Sequence, residues 1–188
     1  MINSWYPLRI TNKLRGSLGE IYYKEFCDQR GWAYTSLENL YEYMNPDWIF
    51  IFKKGFHRIK IKIPEKIRDE ITELVKPTNL SQSSPSFVFD FLACKVGDSK
   101  NYFGVHTSDQ FAWVESKTGS GIFSGSQVNA MSKIKLALAI FQINDVLEAP
   151  ENIDMGWDIK SGKDWLKEIE PVDNEIFELE NKKLTKKI

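Results

Sequence analysis

The chain has 188 residues, 42% hydrophobic and 27% charged, with a net charge of −1; this suits one globular domain and excludes a disordered or collagen-like polymer. Its longest apolar runs, such as Trp48 to Phe52, fall far short of the roughly 18 residues of a membrane span, so no membrane partner is expected. Met1 to Thr11 has no hydrophobic signal core, and Cys27 and Cys94 form neither a zinc pattern nor a disulfide framework. A reducing cytoplasm is therefore the expected location.

The near-neutral total hides an uneven distribution. Lys53 to Arg68 holds seven Lys or Arg against one acid, Glu65, a local +6. Asp145 to Glu180 holds twelve acids against three lysines, a local −9. The total argues against a nucleic-acid partner, but the basic stretch admits one.

In chain order, Ser17 opens a predicted helix to about Gln29, with Leu18, Ile21, Tyr22 and Phe26 on one face and Gly31 as its stop. Trp32 to Leu37 reads as a short strand and Leu37 to Met44 as a weak helix. Asp47 to Phe52 and Phe56 to Ile63 read as a hairpin across Lys53-Lys54-Gly55. In its second strand Ile59, Ile61 and Ile63 point one way, and Arg58, Lys60 and Lys62 the other. Pro64 starts a helix to about Val75. Lys76 to Ser86 is a loop, Ser86 to Val96 a buried strand, Gly97 to Asn101 a turn, and Phe111 to Lys117 another strand. After the Gly- and Ser-rich Thr118 to Gly125, a helix is predicted over Ser126 to Phe141, carrying Val128, Met131, Ile134, Leu138 and Phe141. The acidic remainder has candidate strands near Asp145 and Met155. The basic tail, 181–188, is expected to fray.

Two of these strands carry charge in apolar surroundings. Asp90 sits within Phe87-Val88-Phe89-Asp90-Phe91-Leu92, and Glu115 and Lys117 close Phe111 to Lys117. Residues two apart on a strand share a face, so Glu115 and Lys117 lie together, and Asp90 joins them if the strands pair. Such charges are costly unless paired or bound to metal, and a divalent cation relieves the repulsion of adjacent carboxylates. An acid-x-Lys pattern alone is cheap. Four occur, ending at Lys100, Lys117, Lys160 and Lys182, where about three are expected by chance. Only Glu115 to Lys117 ends an apolar strand, follows another strand with its own Asp, and leads into a Gly-rich turn and a helix. The plainer reading is a solvated strand end with an ordinary ion pair. Asp154, Asp158 and Lys160 offer a rival set, interrupted by Gly156 and Trp157. His57 and His106 are too sparse for a metal site and read as surface or loop residues.

A helix with Glu20, a strand with Asp90, a strand with Glu115-Ser116-Lys117 and then a helix resembles the PD-(D/E)xK nucleases. The runs Phe111 to Gly119 and Phe123-Ser124-Gly125-Ser126-Gln127 are most similar to the branch with archaeal Holliday-junction resolvases and VRR-NUC nucleases. The resemblance covers roughly Ser17 to Gln29 and Ser86 to Phe141. It implies an α/β, restriction-endonuclease-like core with a mixed central sheet flanked by helices. Residues 1–180 would form one nuclease domain, with core segments 17–36 and 86–147 and an inserted hairpin-helix arm at 47–76. The implied activity is Mg²⁺-dependent hydrolysis of DNA phosphodiesters, with Mn²⁺ able to substitute, by an endonuclease that is a candidate homodimer. Asp90, Glu115 and the Ser116 carbonyl would hold the metal, with Glu20 as an outer carboxylate. Lys117 would act on the attacking water and the transition-state charge, and Gln127 would orient water or phosphate. Two departures stand out. Phe89 occupies the place where many members have Pro, and the 25 residues from Asp90 to Glu115 require 95–109 to bulge.

Glu20 and Gln127 have a second reading, because Ser17 with Glu20 and Ser124 with Gln127 both fit a capping box. Lys53, Lys54, Arg58, Lys60 and Lys62 are candidate phosphate contacts, or else a solvated face that guards a sheet edge. Gly119, Ser120 and Gly121 are candidates for a turn that admits DNA, with backbone amides able to meet phosphate. The competing function is an inactive nucleic-acid-binding or protein-interaction module on a nuclease fold.

Overall fold

The structure, a computed structural model, describes residues 12–78, 85–96, 104–119, 121–143, 155–171 and 182–185. It is α/β, with a large mixed sheet flanked by helices. The strands are β1 (Trp32–Ser36), β2 (Ile49–Lys54), β3 (His57–Lys62), β4 (Phe91–Lys95), β5 (Val105–Thr107), β6 (Phe111–Thr118), β8 (Ala137–Ile143) and β9 (Met155–Lys160), arranged β5-β3-β2-β1-β4-β6-β8-β9. The β3–β5 and β6–β8 pairs are parallel and the others antiparallel. A smaller sheet, β10-β11-β7, joins Ile169–Pro171, Lys182–Leu184 and Ile122–Phe123.

Two apolar clusters sandwich the main sheet. On one face α1 (Asn12–Arg30) lays Tyr23 and Cys27 onto Tyr34, Phe91, Val114 and Phe141. On the other, α2 (Leu37–Glu42), α3 (Arg68–Leu74), α4 (Gly125–Lys133) and α5 (Gly162–Trp165) cover Phe52, Ile61, Leu92 and Trp113. Each large side chain buried this way contributes about 1.5–3 kcal/mol. Phe111 to Val114 is buried throughout because β6 has a covered face on each side. Residues 47–76 are tied into this core, with β2 and β3 in the main sheet. From α3, Glu70 accepts bonds from the Trp113 indole at 2.7 Å and from the amides of Lys135 and Leu136 at 2.9 and 3.2 Å. Among the described residues, no helix is long and apolar enough to cross a membrane.

Several expectations are overturned. The predicted helix over Ser126 to Phe141 is a helix, a turn and a strand: α4 stops at Lys133, Ile134 turns extended (φ −63°, ψ 143°), and β8 begins at Ala137. Leu138 and Ile140 belong to the α4-side cluster and Phe141 to the α1-side cluster, so the last two residues of the helical stripe, Leu138 and Phe141, belong to a strand buried on both faces. Glu70 takes the amides freed at the junction. The first helix begins at Asn12, which places Ser17 inside it rather than at its cap. Its buried face is Tyr23 and Cys27, and Ile21 is exposed. Pro64 precedes a 3-10 turn, Glu65–Ile67, before α3. The tail is not wholly frayed, since β11 pairs with both β10 and β7. The candidate strand near Asp145 lies outside the described residues, as does the turn at 97–101 apart from Lys95 and Val96 before it.

Candidate active site

The strand predicted over Ser86 to Val96 is shorter than expected, and that shortening makes the site. Val88 to Asp90 bends, and β4 begins only at Phe91. The Asp90 amide donates to the Val114 carbonyl at 3.1 Å, but its carbonyl turns away to accept the Leu37 amide at 3.3 Å. Its carboxylate takes over the ladder position: Oδ2 accepts the Ser116 amide at 2.7 Å and the Ser116 hydroxyl at 2.8 Å. Asp90 is therefore not within a strand. It stands at the strand's entrance, held by its neighbour across the sheet.

Phe91 pairs with Val114, so Asp90 falls opposite Glu115 in the same register. Glu115 is 4% exposed. Its Oε1 accepts Lys117 Nζ at 2.7 Å and Gln127 Nε2 at 2.7 Å, while Oε2 is buried without a hydrogen-bond partner among the described residues. Burial first, then the Asp90 charge, pushes its carboxyl up to about 8, against the pull of Lys117 and Gln127. Asp90 is raised as well. Burial dominates, opposed by the Ser116 bonds, and the Glu20 charge adds to the rise. Asp90, Glu115, Lys117 and Glu20 thus act on one another at one end of the sheet.

Lys117 Nζ also donates to Gln127 Oε1 at 3.1 Å and lies 4.6 Å from the centre of the Phe123 ring. The capping box at α4 is present: Ser124 Oγ accepts the Gln127 amide, and Gln127 Oε1 accepts the Ser124 amide. Gln127 therefore caps its helix and grips both Glu115 and Lys117. The capping reading of this residue holds, and the same amide, with a donor and an acceptor, reaches the two charged side chains.

Glu20 stands differently. With Ser17 inside α1, no capping box forms there, and Glu20 Oε2 pairs with Lys24 Nζ at 3.3 Å, partly solvated. Gly19 brings α1 against the end of β6, where an added Cβ would meet Thr118 Cγ2 at 2.9 Å. Glu20 reaches the Asp90 side of the sheet end, and Glu115, Lys117 and Gln127 occupy the α4 side.

The glycine turn does less than expected for a phosphate. The Gly119 amide donates to the Ile143 carbonyl at 2.8 Å and the Gly121 amide to the Thr118 carbonyl at 3.4 Å, so both are spent within the protein. Positive φ at Gly119 (63°) and Gly121 (55°) shapes the turn, and Gly121 lies so close to Lys117 that an added Cβ would sit 3.2 Å from its Cβ. Ser120 lies outside the described residues. Of the basic candidates, register puts Lys53, Arg58, Lys60 and Lys62 on one face of β2 and β3. Lys54 is half-buried and faces the other way, with its charge acting on Cys94.

Sequence reasoning used only the carbonyl of Ser116 and missed its amide and hydroxyl. A small hydroxyl residue between Glu115 and Lys117 was the available signal. It also missed the burial of His106, whose Nδ1 has no partner among the described residues. Burial pushes both cysteine thiols up to about 12, so neither is a ready nucleophile. The rival Asp158 and Lys160 pair with each other at 2.8 Å on β9, and Lys160 also binds Glu168. Asp154 lies outside the described residues.

As a donor set for a cation, the site offers Asp90 Oδ1, which accepts no hydrogen bond among the described residues, and the orphaned Glu115 Oε2. The Ser116 carbonyl lies on the same edge of β6 as its amide, toward Asp90. No group of three or more His, Cys, Asp or Glu gathers among the described residues. Two carboxylates remain a sufficient protein share for Mg²⁺, which keeps several waters and uses one or two carboxylates with substrate phosphate. No protein-family model matches the chain, and no match is found among curated proteins or solved structures.

Proposed function

We propose that the chain hydrolyses phosphodiester bonds in DNA with the help of Mg²⁺ held at the Asp90–Glu115 end of the sheet. The observation that carries this reading is the buried, unpartnered Glu115 Oε2 beside a second carboxylate and a lysine. A group left so exposed to desolvation needs a compensating role, and a cation between two carboxylates supplies one.

The order of elements supports the same reading. Helix α1 with Glu20, β4 with Asp90 at its entrance, β6 with Glu115 and Lys117, and α4 with Gln127 keep the order that resembles the PD-(D/E)xK nucleases. The arm, β2, β3 and α3, is inserted between β1 and β4.

The residues then divide the work. Ser116 fixes the Asp90 carboxylate through Oδ2 and leaves Oδ1 for a ligand. Gln127 fixes Glu115 through Oε1 and leaves Oε2. Lys117, held between Glu115 and Gln127, places an ammonium where charge builds on phosphate and where a water can give up its proton. A bound Mg²⁺ would polarise the phosphate and lower the pKa of a coordinated water.

The test is cleavage of a panel: supercoiled plasmid, linear duplex, single strand, flap and four-way junction, each with Mg²⁺, Mn²⁺ or EDTA. Metal-dependent cutting by the native chain, lost in Lys117→Ala, is the expected result. DNA binding without cutting under either metal would leave the inactive binding module as the function.

A further inference from the structure

We infer that the open face of β2 and β3, with the groove beside it, is a track for single-stranded nucleic acid leading to the Asp90–Glu115 end of the sheet. The inference rests on the phosphodiester reading for its direction and goes beyond it in naming the form of the substrate.

The track begins as a matter of register. Ile51 pairs with Lys60, Lys53 with Arg58, Ile49 with Lys62, and Tyr34 with Lys53, so these side chains share one face of the sheet. Lys53, Arg58, Lys60 and Lys62 are all exposed. None of the four makes an ion pair among the described residues. Edge guarding does not account for Lys60 and Lys62, because that half of β3 is paired on both sides, with β2 and with β5. Helix α1 packs chiefly on β1, β6 and β8, which leaves this basic face without a helix over it among the described residues. Ile51 stays 49% exposed there.

The groove lies between this face and α1. It encloses about 630 Å³ and is lined by Glu20 and Lys24 at one end, Tyr34 and Tyr43 between, and Lys53 and Arg58 at the other. Its Glu20 end adjoins Asp90, because Phe91, the next residue, lines the groove with Glu20. Pockets of roughly 300–1,000 Å³ hold a drug-sized molecule, so this one has room for about two nucleotides. Cations that follow a backbone, alternating with aromatic faces that stack on any base, are what single-strand grooves use. Tyr43, which lines the groove, is 66% exposed. Glu38 also lines the groove and would repel phosphate, so the path follows Lys53, Arg58 and Lys60.

The test is fluorescence anisotropy with labelled oligothymidylate of roughly 12 nucleotides, within the usual 4–16 nucleotide site size. A blunt duplex of the same length is the comparison. The full native chain, Arg58→Glu/Lys60→Glu and Tyr43→Ala would be measured in EDTA at low salt, with circular dichroism to verify folding. The strand should bind at least about tenfold tighter than the duplex. The double charge reversal should weaken it by about tenfold or more, with a shallower salt dependence. Tyr43→Ala should weaken it by roughly five- to tenfold. Duplex binding equal to strand binding, or a double variant that binds as the native chain does, would overturn the track. Cleavage in Mg²⁺ is read separately. Tight, variant-sensitive strand binding without cleavage keeps the track and defeats the chemistry. Cleavage with indifferent binding does the reverse.

Discussion

Two acid-x-Lys pairs lie in the same sheet, separated by one strand, and their surroundings make them opposites. On β6, Glu115 and Lys117 are buried, and the carboxyl is pushed up to about 8 by desolvation and the Asp90 charge. On β9, Asp158 and Lys160 make an equally short contact, 2.8 Å, yet both are partly solvated and the Asp158 carboxyl is lowered, chiefly by its bond to Lys160. In the second pair the lysine satisfies the acid. In the first it cannot, because burial and a second carboxylate outweigh it. A short ion pair therefore says little about chemistry. The unmet demand around it says more.

The largest effect that would sharpen this contrast is catalytic. Lys117→Met should lower cleavage by on the order of a hundredfold or more, the usual loss when a transition-state charge contact is removed. Lys160→Met, which removes a lysine from a solvated pair and from the Trp165 ring, should leave cleavage within about threefold and cost about 1 kcal/mol of stability. Equal losses in both variants would break the comparison.

The next effect is in pH dependence without metal. The folded chain holds Glu115 protonated up to about 8, whereas an ordinary glutamate ionises near 4.5. The folded state thus binds the extra proton between those values. Its contribution to stability is complete below about 4.5 and is lost as pH rises through about 8, a change on the order of a few kcal/mol. Asp90, Lys117, Gln127 and the Glu20 charge all face this group or its neighbour, so the fall belongs to the set. Melting temperature followed from pH 5 to 8.5 in EDTA should decline in the native chain and flatten in Glu115→Gln. Asp158→Asn has the opposite sign. Its carboxylate helps above the ordinary acid range and loses that help as pH falls, so this variant should leave the decline in place.

Smaller effects test the supports. Gln127→Ala removes a cap and the clamp on Glu115 and Lys117 together, so thermal unfolding should show a loss of about 1–2 kcal/mol. Ser17→Ala should stay within about 0.5 kcal/mol, because Ser17 is not a cap.

These particulars also show what the sequence can carry. The face shared by Glu115 and Lys117 was legible from strand alternation, and the capping box of Gln127 from the Ser124 spacing. The β3 pattern of Ile59, Ile61 and basic partners was legible for the same reason. The break at 134–136 was not, because Leu138 and Phe141 fit a helical stripe while serving opposite faces of a buried strand. The anchor at that break, Glu70, is 65 residues from Lys135. The entrance position of Asp90 was also hidden, since it depends on its carboxylate replacing a ladder carbonyl opposite Ser116. Local periodicity reports which residues are buried. It does not report which distant residue ends an element.

The most direct test of the Asp90–Glu115 site is Mn²⁺ binding by titration calorimetry at pH 7, in two buffers of different ionisation enthalpy, for the native chain, Glu115→Gln and Asp158→Asn. A cation that ligates a protonated carboxyl must displace its proton. The predicted result is one site with release of about one proton in the native chain and in Asp158→Asn, and loss of both binding and release in Glu115→Gln. Absence of binding to the native chain, or binding that Glu115→Gln leaves unchanged, would contradict the account.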